Sequence, residues 1–468
     1  MCHDTVIATP CSRVNWLRQL QPKGLLMKRR TLIASAPATA LVAATARAAA
    51  PTRVVLWHAM GGALGDKLQS IVDAFNKSQT DFAVEAVYKG SYPQVLTATI
   101  AAWRAGKAPS IAQVFDVGTA DMLGAGRAVV DVYKLAEMTG VGIEPSTYIP
   151  AVRGYYSLND GKMGAAPFNS STALMWINED AFEKAGLDPK APLETWDDVI
   201  KAARAIKAKG AAEIPVMTSW PTWVHFEQFA AIHNVEYATL NDGFGGPNPK
   251  LRLDSHPFVR NLDTLLTMQK DGLFHYEGRD GKPSPIFYAG KAAITFDSSS
   301  IYGQLVKSAK FRFANAYLPY HQSIIKSPIN SIIGGAAFWA MTAPGRGKAE
   351  YEAVARFFKF ISEPQNDASW AEATGYVPVT LAGNDYIAKQ GFYAKQPGGD
   401  LAVKQLTRTE PTKYSRGIRL GGMPEVRVII EEEWESAIQN GTPAHKALAR
   451  AQQRSQAVVN RFARALHG

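Results

Sequence analysis

The sequence contains very little cysteine, and all of it lies near the start of the chain. Cys2 and Cys11 are the only cysteines among 468 residues. Both precede Ala48, where the targeting segment described below is expected to end, so the mature chain has none. Disulfides, thiolate nucleophiles and cysteine-ligated metals are therefore excluded for that mature chain.

Long apolar runs and a large excess of charge are also missing from most of the sequence. Beyond the first fifty residues, no stretch approaches the roughly 20 apolar residues that a membrane-spanning helix needs. The formal net charge is +10, but residues 1–48 contain seven Lys or Arg and one Asp. Removing them lowers the net charge to +4. The composition therefore implies neither a nucleic-acid partner nor a membrane partner.

Residues 1–48 are predicted to be a targeting segment. They contain a basic start (Met27 to Arg30), a stretch of small and apolar residues (Thr31 to Ala46) and an A-x-A cleavage pattern that ends at Ala48. The signal peptide is thus placed at 27–48, and 1–26 is interpreted as an over-extended start. The paired arginines fit either general secretion or twin-arginine export. We expect a soluble mature chain in the periplasm.

The rest of the chain alternates between strand-like and helix-like patterns. Apolar runs predict strands, and apolar residues at 3.6-residue spacing predict the helices between them. The main strands are predicted at 54–57, 82–88, 111–115, 173–177, 292–296 and 332–339. A capping-box pattern of Thr195 and Asp198 begins one helix. Another helix begins at Pro424, runs through Ile438 and is stopped by Gly441, before the last one. This alternation predicts an α/β fold with a largely parallel sheet.

Familiar catalytic and metal-binding motifs are absent from the sequence. It has no G-x-S-x-G, H-E-x-x-H or Walker A pattern, and its nine histidines lack metal-ligand spacing. Gly243 to Gly246 resembles half of a dinucleotide fingerprint, but Pro247 and Pro249 favour a turn. The acidic run Glu431 to Glu433 is interpreted as a solvated helix face. We expect that the protein is not an enzyme and that it has no catalytic residue, metal or cofactor. An active site assembled from residues distant in sequence is left as an alternative.

Six short motifs, together with segments 161–196 and 287–295, are characteristic of one family. The motifs are Tyr88–Tyr92, Pro167–Thr172, Ile332–Ala336, Thr374–Pro378, Gln390–Tyr393 and Gly417–Pro424. They resemble the family-one extracellular solute-binding proteins of ABC importers, and within that family the members that bind glycerol 3-phosphate. The likeness extends over essentially the whole mature chain.

This resemblance implies the type II fold of periplasmic binding proteins, with two α/β lobes, a multi-strand hinge and a central ligand cleft. Lobe I is expected to contain 49–168 and 298–333, and lobe II 174–293 and 339–468. The hinge crossings are expected near 169–173, 294–297 and 334–338.

The resemblance also implies a set of ligand contacts. Carried over position by position, they are Tyr92, Asp116, Ser171, Trp220, Ser298, Gly335, Tyr376 and Arg427. Arg427 would bind two phosphate oxygens through its fork, in the first turn of a helix where an anion is favoured. The serines, Tyr376 and the Gly335 amide would be neutral donors, and Trp220 an apolar wall.

Asp116 departs from the family pattern, which usually has glutamate at this place. Its side chain is one methylene shorter, which withdraws the carboxylate by roughly 1.5 Å. Contact with the glycerol hydroxyls would then be mediated by water, or the glycerol would sit differently.

The expected function is a monomeric substrate-binding subunit that delivers its ligand to the membrane permease and ATPase of an ABC importer. The ligands implied are sn-glycerol 3-phosphate and glycerophosphodiesters such as glycerophosphocholine, without nucleic acid. Two alternatives stay open: a receptor for an oligosaccharide or another polyol, and a secreted phosphodiesterase or glycosidase.

Overall fold

The computed structural model describes residues 50–396 and 398–467. The targeting segment and the expected cleavage after Ala48 lie outside these residues. Within them, no helix combines the length and the apolar character that crossing a membrane requires.

The strands of the described chain form two sheets. The first contains β1 (Thr52–His58), β2 (Phe82–Tyr88), β3 (Ile111–Phe115), β4 (Val129–Val130), β5 (Ala166–Ser171) and β11 (Gly334–Met341). The second contains β6 (Ala173–Asn178), β7 (Ile214–Thr218), β8 (Phe274–His275), β9 (Ala292–Ser298) and β10 (Phe313–Ala316). The strand order is β2-β1-β3-β11-β4 in the first sheet, with β5 beside β11, and β10-β6-β9-β7-β8 in the second.

The helices cover the faces and ends of these sheets. They are α1 (Gly62–Ser78), α2 (Tyr92–Arg104), α3 (Thr119–Gly124), α4 (Val132–Thr139), α5 (Pro150–Tyr156), α6 (Glu179–Lys184), α7 (Trp196–Ala208), α8 (Phe229–Ile232), α9 (Thr239–Asp242), α10 (His256–Lys270), α11 (Ser284–Tyr288), α12 (Tyr302–Ser308), α13 (Lys348–Ile361), α14 (Pro364–Thr374), α15 (Leu381–Lys389), α16 (Phe392–Lys395), α17 (Leu401–Leu406), α18 (Met423–Asn440) and α19 (Ala444–His467). A π-helical segment, Trp223–Gln228, precedes α8.

Local sequence signals begin and end several of these helices as predicted. At α7, the Thr195 hydroxyl accepts from the Asp198 amide at 3.2 Å, and the Asp198 carboxylate accepts from the Thr195 amide at 2.9 Å. This reciprocal cap satisfies amides that the first helical turn leaves free. At the end of α18, Gly441 adopts the left-handed conformation that glycine favours. The segment that begins at Gly243 is a turn, again as predicted.

The sheets are mixed, so the expectation of a largely parallel sheet was wrong. Pairs β1–β2, β1–β3, β7–β8 and β7–β9 are parallel. In contrast, β11 runs antiparallel to β3, β4 and β5, and β6 runs antiparallel to β9 and β10. The strand β6 is separated from β5 of the first sheet by a single residue, and β11 follows β10 of the second sheet. Neither strand therefore joins its sheet through the long crossover connection, usually a helix, that parallel neighbours need.

Strand pairing also places two segments differently from the expected lobe boundaries. The chain passes from the first sheet to the second between β5 and β6, and it returns between β10 and β11. Residues 298–333 were expected in lobe I, yet β10 pairs with β6. Residues from 339 were expected in lobe II, yet β11 pairs with β3 up to Ala340. At 294–297, where a crossing was expected, β9 pairs with β6 and β7 of the second sheet. The two-lobe division itself stays a prediction.

The acidic run on α18 is largely buried, so its interpretation as a solvated face was wrong. The Glu433 carboxylate accepts from Arg450 Nε at 2.7 Å and from Arg454 Nη1 at 2.8 Å, both on α19. Glu431 lies 3.9 Å from Arg279, and burial raises the pKa of Glu431 to about 7. The sequence did not reveal that α19 packs over α18 and buries this face.

Candidate functional site

The eight residues expected to contact a ligand line a single pocket. This inner pocket has a volume of about 50 Å³, and its further lining residues are Phe115, Trp223, Ser300 and Gly334. An outer chamber of about 450 Å³ adjoins it. The two share Tyr92, Phe115, Trp220, Ser298, Ser300 and Tyr376. The topology therefore brings together residues that span positions 92 to 427 of the chain.

Tyr92, at the start of α2, supplies a hydroxyl group to the pocket. Its ring stacks on Phe115 with centroids 5.5 Å apart, and its hydroxyl accepts from Asn169 Nδ2 at 2.8 Å. Burial, together with the neighbouring Tyr376, raises the pKa of Tyr92 well above its ordinary value. The hydroxyl therefore keeps its proton and can donate it in a hydrogen bond.

Two consecutive glycines bring β11 close to the other pocket elements. Gly335 has a φ of +98°, and a Cβ there would lie 1.8 Å from the Asn169 carbonyl oxygen. A Cβ on Gly334 would lie 2.5 Å from the Trp223 ring. Gly334 pairs in register with Ser171 of β5. Only glycine fits at Gly335, because both the backbone conformation and the available space exclude a side chain.

Trp220, two residues beyond the end of β7, is held in an unusual backbone conformation. Its φ of 50° lies in the left-handed region, which costs a residue other than glycine about 1–3 kcal/mol. Its amide donates to the Asp280 carbonyl oxygen at 2.7 Å. The adjacent Arg279 is anchored to Glu435 of α18, with Nε 2.7 Å from Oε1. The loop at Arg279 and Asp280 thus supports the strained Trp220 at the pocket wall.

The π-helical segment adds two residues that sequence reasoning missed. Trp223 lines the pocket, and its indole nitrogen is buried without a hydrogen-bond partner among the described residues. Glu227 lies on the same segment and contacts Arg427. Trp223 lies three residues after Trp220, and this short spacing was a signal in the sequence that both rings could line the same pocket. No local signal pointed to Glu227, because its partner is 200 residues away.

Ser298 ends β9 in a compact polar turn. Its amide donates to Asp297 Oδ1 at 2.6 Å, and its hydroxyl lies 2.8 Å from the Ser300 hydroxyl. Both hydroxyls lie in the wall between the inner pocket and the outer chamber. Ser298 therefore lies at the pocket, as expected, and supplies a neutral hydrogen-bond donor there.

Arg427 is paired with two carboxylates, one from each sheet region. Its Nε and Nη2 donate to Glu227 at 2.6 and 2.8 Å, and Nη2 also donates to Asp116 Oδ2 at 3.1 Å. The three side chains are between 2% and 11% exposed, so solvent screens these charges weakly. Burial raises the pKa of Asp116 to about 6, with Arg427 opposing and Glu227 adding to the rise. Burial opposes the charge of Arg427, but Glu227 and Asp116 outweigh it and raise its pKa.

Two expectations about Arg427 need correction. The fork of its guanidinium faces Glu227 rather than open pocket space. Among the described lining residues of both chambers, none comes from positions 423–426. The Gly422 amide donates instead to Asp121 Oδ1 at 2.9 Å. The start of α18 is therefore already paired with a carboxylate and does not face the pocket.

Comparison with known proteins assigns the fold and site to a family. The model of the bacterial extracellular solute-binding protein family matches residues 70–393. The chain belongs to this family. The sn-glycerol-3-phosphate-binding periplasmic protein UgpB of Pectobacterium atrosepticum is 38% identical to this solute-binding protein, over 93% of this chain and 98% of its own length. UgpB of Escherichia coli K12 is 39% identical, over 93% and 99%.

Solved structures of solute-binding proteins share the fold. UgpB of Mycobacterium tuberculosis in complex with glycerophosphocholine superposes with a TM-score of 0.72 at 21% identity, covering 87% of this chain and 98% of that one. The GacH receptor of Streptomyces glaucescens gives 0.72 at 15% identity, covering 88% and 99%. The α/β fold of an extracellular solute-binding protein, predicted from the sequence motifs, is thus confirmed.

Proposed function

We propose that this solute-binding protein is the periplasmic receptor subunit of an ABC importer, and that it binds sn-glycerol 3-phosphate or glycerophosphodiesters. The names of its relatives support the ligand class. The observation that carries the proposal is the pocket itself, where Arg427 is the one cation among the described lining residues and hydroxyl groups surround it.

The donors in the pocket suit a phosphate ester. Arginine has five N–H groups, and the contacts with Glu227 and Asp116 leave those of Nη1 for a phosphate oxygen. Ser171, Ser298, Tyr376 and the Trp223 indole would donate to the remaining oxygens. Asp116 would accept from a glycerol hydroxyl, and Trp220 would cover the carbon chain.

Capture and delivery would follow the pattern of two-lobe receptors. The ligand would hold the two sheet regions closed, since its contacts come from both. The mature protein, after export and cleavage following Ala48, would act as a monomer and present this closed form to the permease subunits, which work with a cytoplasmic ATPase. It would catalyse no reaction.

Calorimetry on the mature chain, residues 49–468, tests this proposal. We expect binding of sn-glycerol 3-phosphate, glycerophosphocholine or both. Arg427→Ala should weaken it at least about 100-fold, a loss of about 2.7 kcal/mol, because two buried carboxylates then face the phosphate. Arg454→Ala is the matched control, since Arg454 pairs with glutamates of α18 but lines neither chamber.

Four outcomes would contradict the proposal. Absence of binding to both ligands would reject the ligand class, and binding of maltotriose instead would favour the polyol alternative. Release of choline from glycerophosphocholine would favour a phosphodiesterase. Unchanged affinity in Arg427→Ala would show that the phosphate binds elsewhere.

A further inference from the structure

Negative charge exceeds positive charge around the inner pocket. Arg427 is flanked by Asp116 and Glu227, at 3.1 and 2.6 Å. The outer chamber adds Asp280, and its described lining contains no lysine or arginine. A phosphate that contacts Arg427 therefore approaches a group whose charge the protein already neutralises.

We propose that this excess of carboxylates makes the receptor select phosphodiesters over phosphate monoesters, an inference that rests on the proposed function. A phosphodiester carries one negative charge. A phosphate monoester carries about −1.5 to −2 at pH 7, because its second pKa is about 6. Each additional charge is attracted by Arg427 but repelled by Asp116 and Glu227, whose two charges outnumber that of Arg427, and these interactions are strong where water is excluded. The monoester therefore binds with the greater electrostatic penalty.

No further cation near Asp116, among the described residues, offsets the excess of carboxylates over positive charge. The charged or titratable groups that face Asp116 are Arg427 from α18, Glu227 from the π-helical segment, Tyr155 and Tyr156 from α5, Tyr92 from α2 and Tyr376. Of these, only Arg427 is a cation. The Tyr155 hydroxyl donates to the Asp116 carbonyl oxygen at 2.9 Å rather than to the carboxylate. Nearby Arg419 donates to the carbonyl oxygens of residues 154 and 155, away from the pocket lining.

The volume of the outer chamber favours the same class of ligand. At about 450 Å³ it has room for the alcohol that a diester carries and a monoester lacks. Its lining mixes aromatic and small residues such as Trp220, Tyr288 and Ala63. An alcohol in this chamber would cover apolar surface that a monoester leaves to water. Space and charge therefore favour a diester independently.

Calorimetry with three ligands tests the inference on the wild-type mature chain. The ligands are sn-glycerol 3-phosphate, glycerophosphocholine and glycerophosphoglycerol, whose second alcohol is uncharged. At about pH 8, where the monoester is a dianion, both diesters should bind at least about tenfold more tightly than the monoester, a difference of about 1.4 kcal/mol.

The outcomes separate this inference from the proposed function. If no ligand binds, the proposed function fails. If the monoester binds as well as the diesters, only the selection fails. If glycerophosphocholine alone is preferred, the choline cation is the cause, and the argument from phosphate charge is overturned.

Removing one carboxylate locates the cause of the preference. Glu227→Gln should narrow the ratio of monoester to diester dissociation constants by about fivefold or more, because one source of repulsion is gone. Glu433→Gln is the matched control, since it neutralises a buried glutamate that pairs with two arginines outside both chambers. An unchanged ratio in Glu227→Gln would overturn the role of Glu227.

Measuring the affinities of the monoester and of glycerophosphoglycerol as a function of pH tests the inference on the wild-type protein alone. This test does not depend on whether a variant folds. Between about pH 8 and pH 5.5, the monoester becomes a monoanion, and Asp116, whose pKa burial raises to about 6, takes up a proton. The monoester should therefore gain affinity relative to glycerophosphoglycerol as the pH falls. A ratio independent of pH would contradict the inference.

Discussion

The two sheets contribute to the pocket in different ways. The first places Ser171 and Gly335 opposite each other on the paired strands β5 and β11, where Gly335 has a positive φ and the register shifts after Ala336. The second contributes through irregular backbone, with a left-handed Trp220 followed by the π-helical segment that carries Trp223 and Glu227. Strand pairing sets the distance between neighbouring backbones, whereas strained and π-helical turns orient individual side chains. One side of the pocket therefore depends on close backbone fit and the other on side-chain orientation.

The two regions also differ in how many histidines they bury: among the described residues, the first sheet contains His58, whose pKa burial lowers to about 4, and the region of the second sheet contains three. His225, His233 and His321 pack together in the region of the second sheet, where the His321 amide donates to His233 Nε2 at 2.8 Å. Burial lowers the pKa of His225 to about 3, of His233 to about 4 and of His321 to about 3. All three are neutral in the folded protein at neutral pH, so this region has a source of acid sensitivity within its core.

The largest effect is expected where the first sheet depends on backbone fit. Gly335→Ala should lower the free energy of unfolding by about 3 kcal/mol, because a Cβ would meet the Asn169 carbonyl oxygen and the left-handed φ adds strain. Gly345→Ala is the control, with a φ of +77° and no atom within 4 Å of its Cβ. Denaturant unfolding measures both. If both variants lose the same unfolding free energy, the positive φ alone accounts for the loss. The close backbone fit of the first sheet would then contribute nothing to it.

An intermediate effect is expected from the histidines of the second region. The folded pKa of His225 lies below its ordinary 6.5, so its contribution to stability is complete above pH 6.5 and declines as the pH falls toward 3. At pH 5 the unfolded chain binds a proton that the folded one does not, which costs about 2 kcal/mol.

The variant His225→Phe isolates this contribution. It should lose about 2 kcal/mol less stability than the wild type between pH 7 and pH 5, and its neighbours, among them Phe296 and Trp434, suit a phenyl ring. His445→Gln removes an exposed histidine and is the control. Parallel pH profiles of wild type and His225→Phe would refute the acid sensitivity of this site.

The smallest effect is expected at the pocket wall. Trp220→Ala should weaken ligand binding by about tenfold, or 1.4 kcal/mol, because the ligand loses an apolar surface but keeps its polar contacts. Trp57→Ala is the control, since Trp57 packs under Lys89 and lines neither chamber. Calorimetry compares the two. If Trp57→Ala weakens binding as much, the loss reflects general destabilisation rather than the wall.

Sequence reasoning located most pocket positions but misjudged their environment. The eight expected residues do meet: five lie at or just beyond strand ends, Tyr92 and Arg427 lie near the starts of α2 and α18, and Tyr376 follows α14. It assigned Arg427 a fork open to phosphate and an anion-binding helix start. In the structure Glu227 occupies the fork and Asp121 the helix start. Both partners are remote in sequence, so no local pattern indicated them.

What the sequence by itself determined is local. Apolar periodicity and capping residues specified strands such as β2 and β3 and the start of α7, because spacing and side-chain chemistry act within a few residues. Only the tertiary structure decided that β10 joins the second sheet, that β11 joins the first, and that Glu227 meets Arg427. These outcomes depend on strand pairing and burial between distant segments, and the free energy of such contacts is not encoded in any short stretch of the chain.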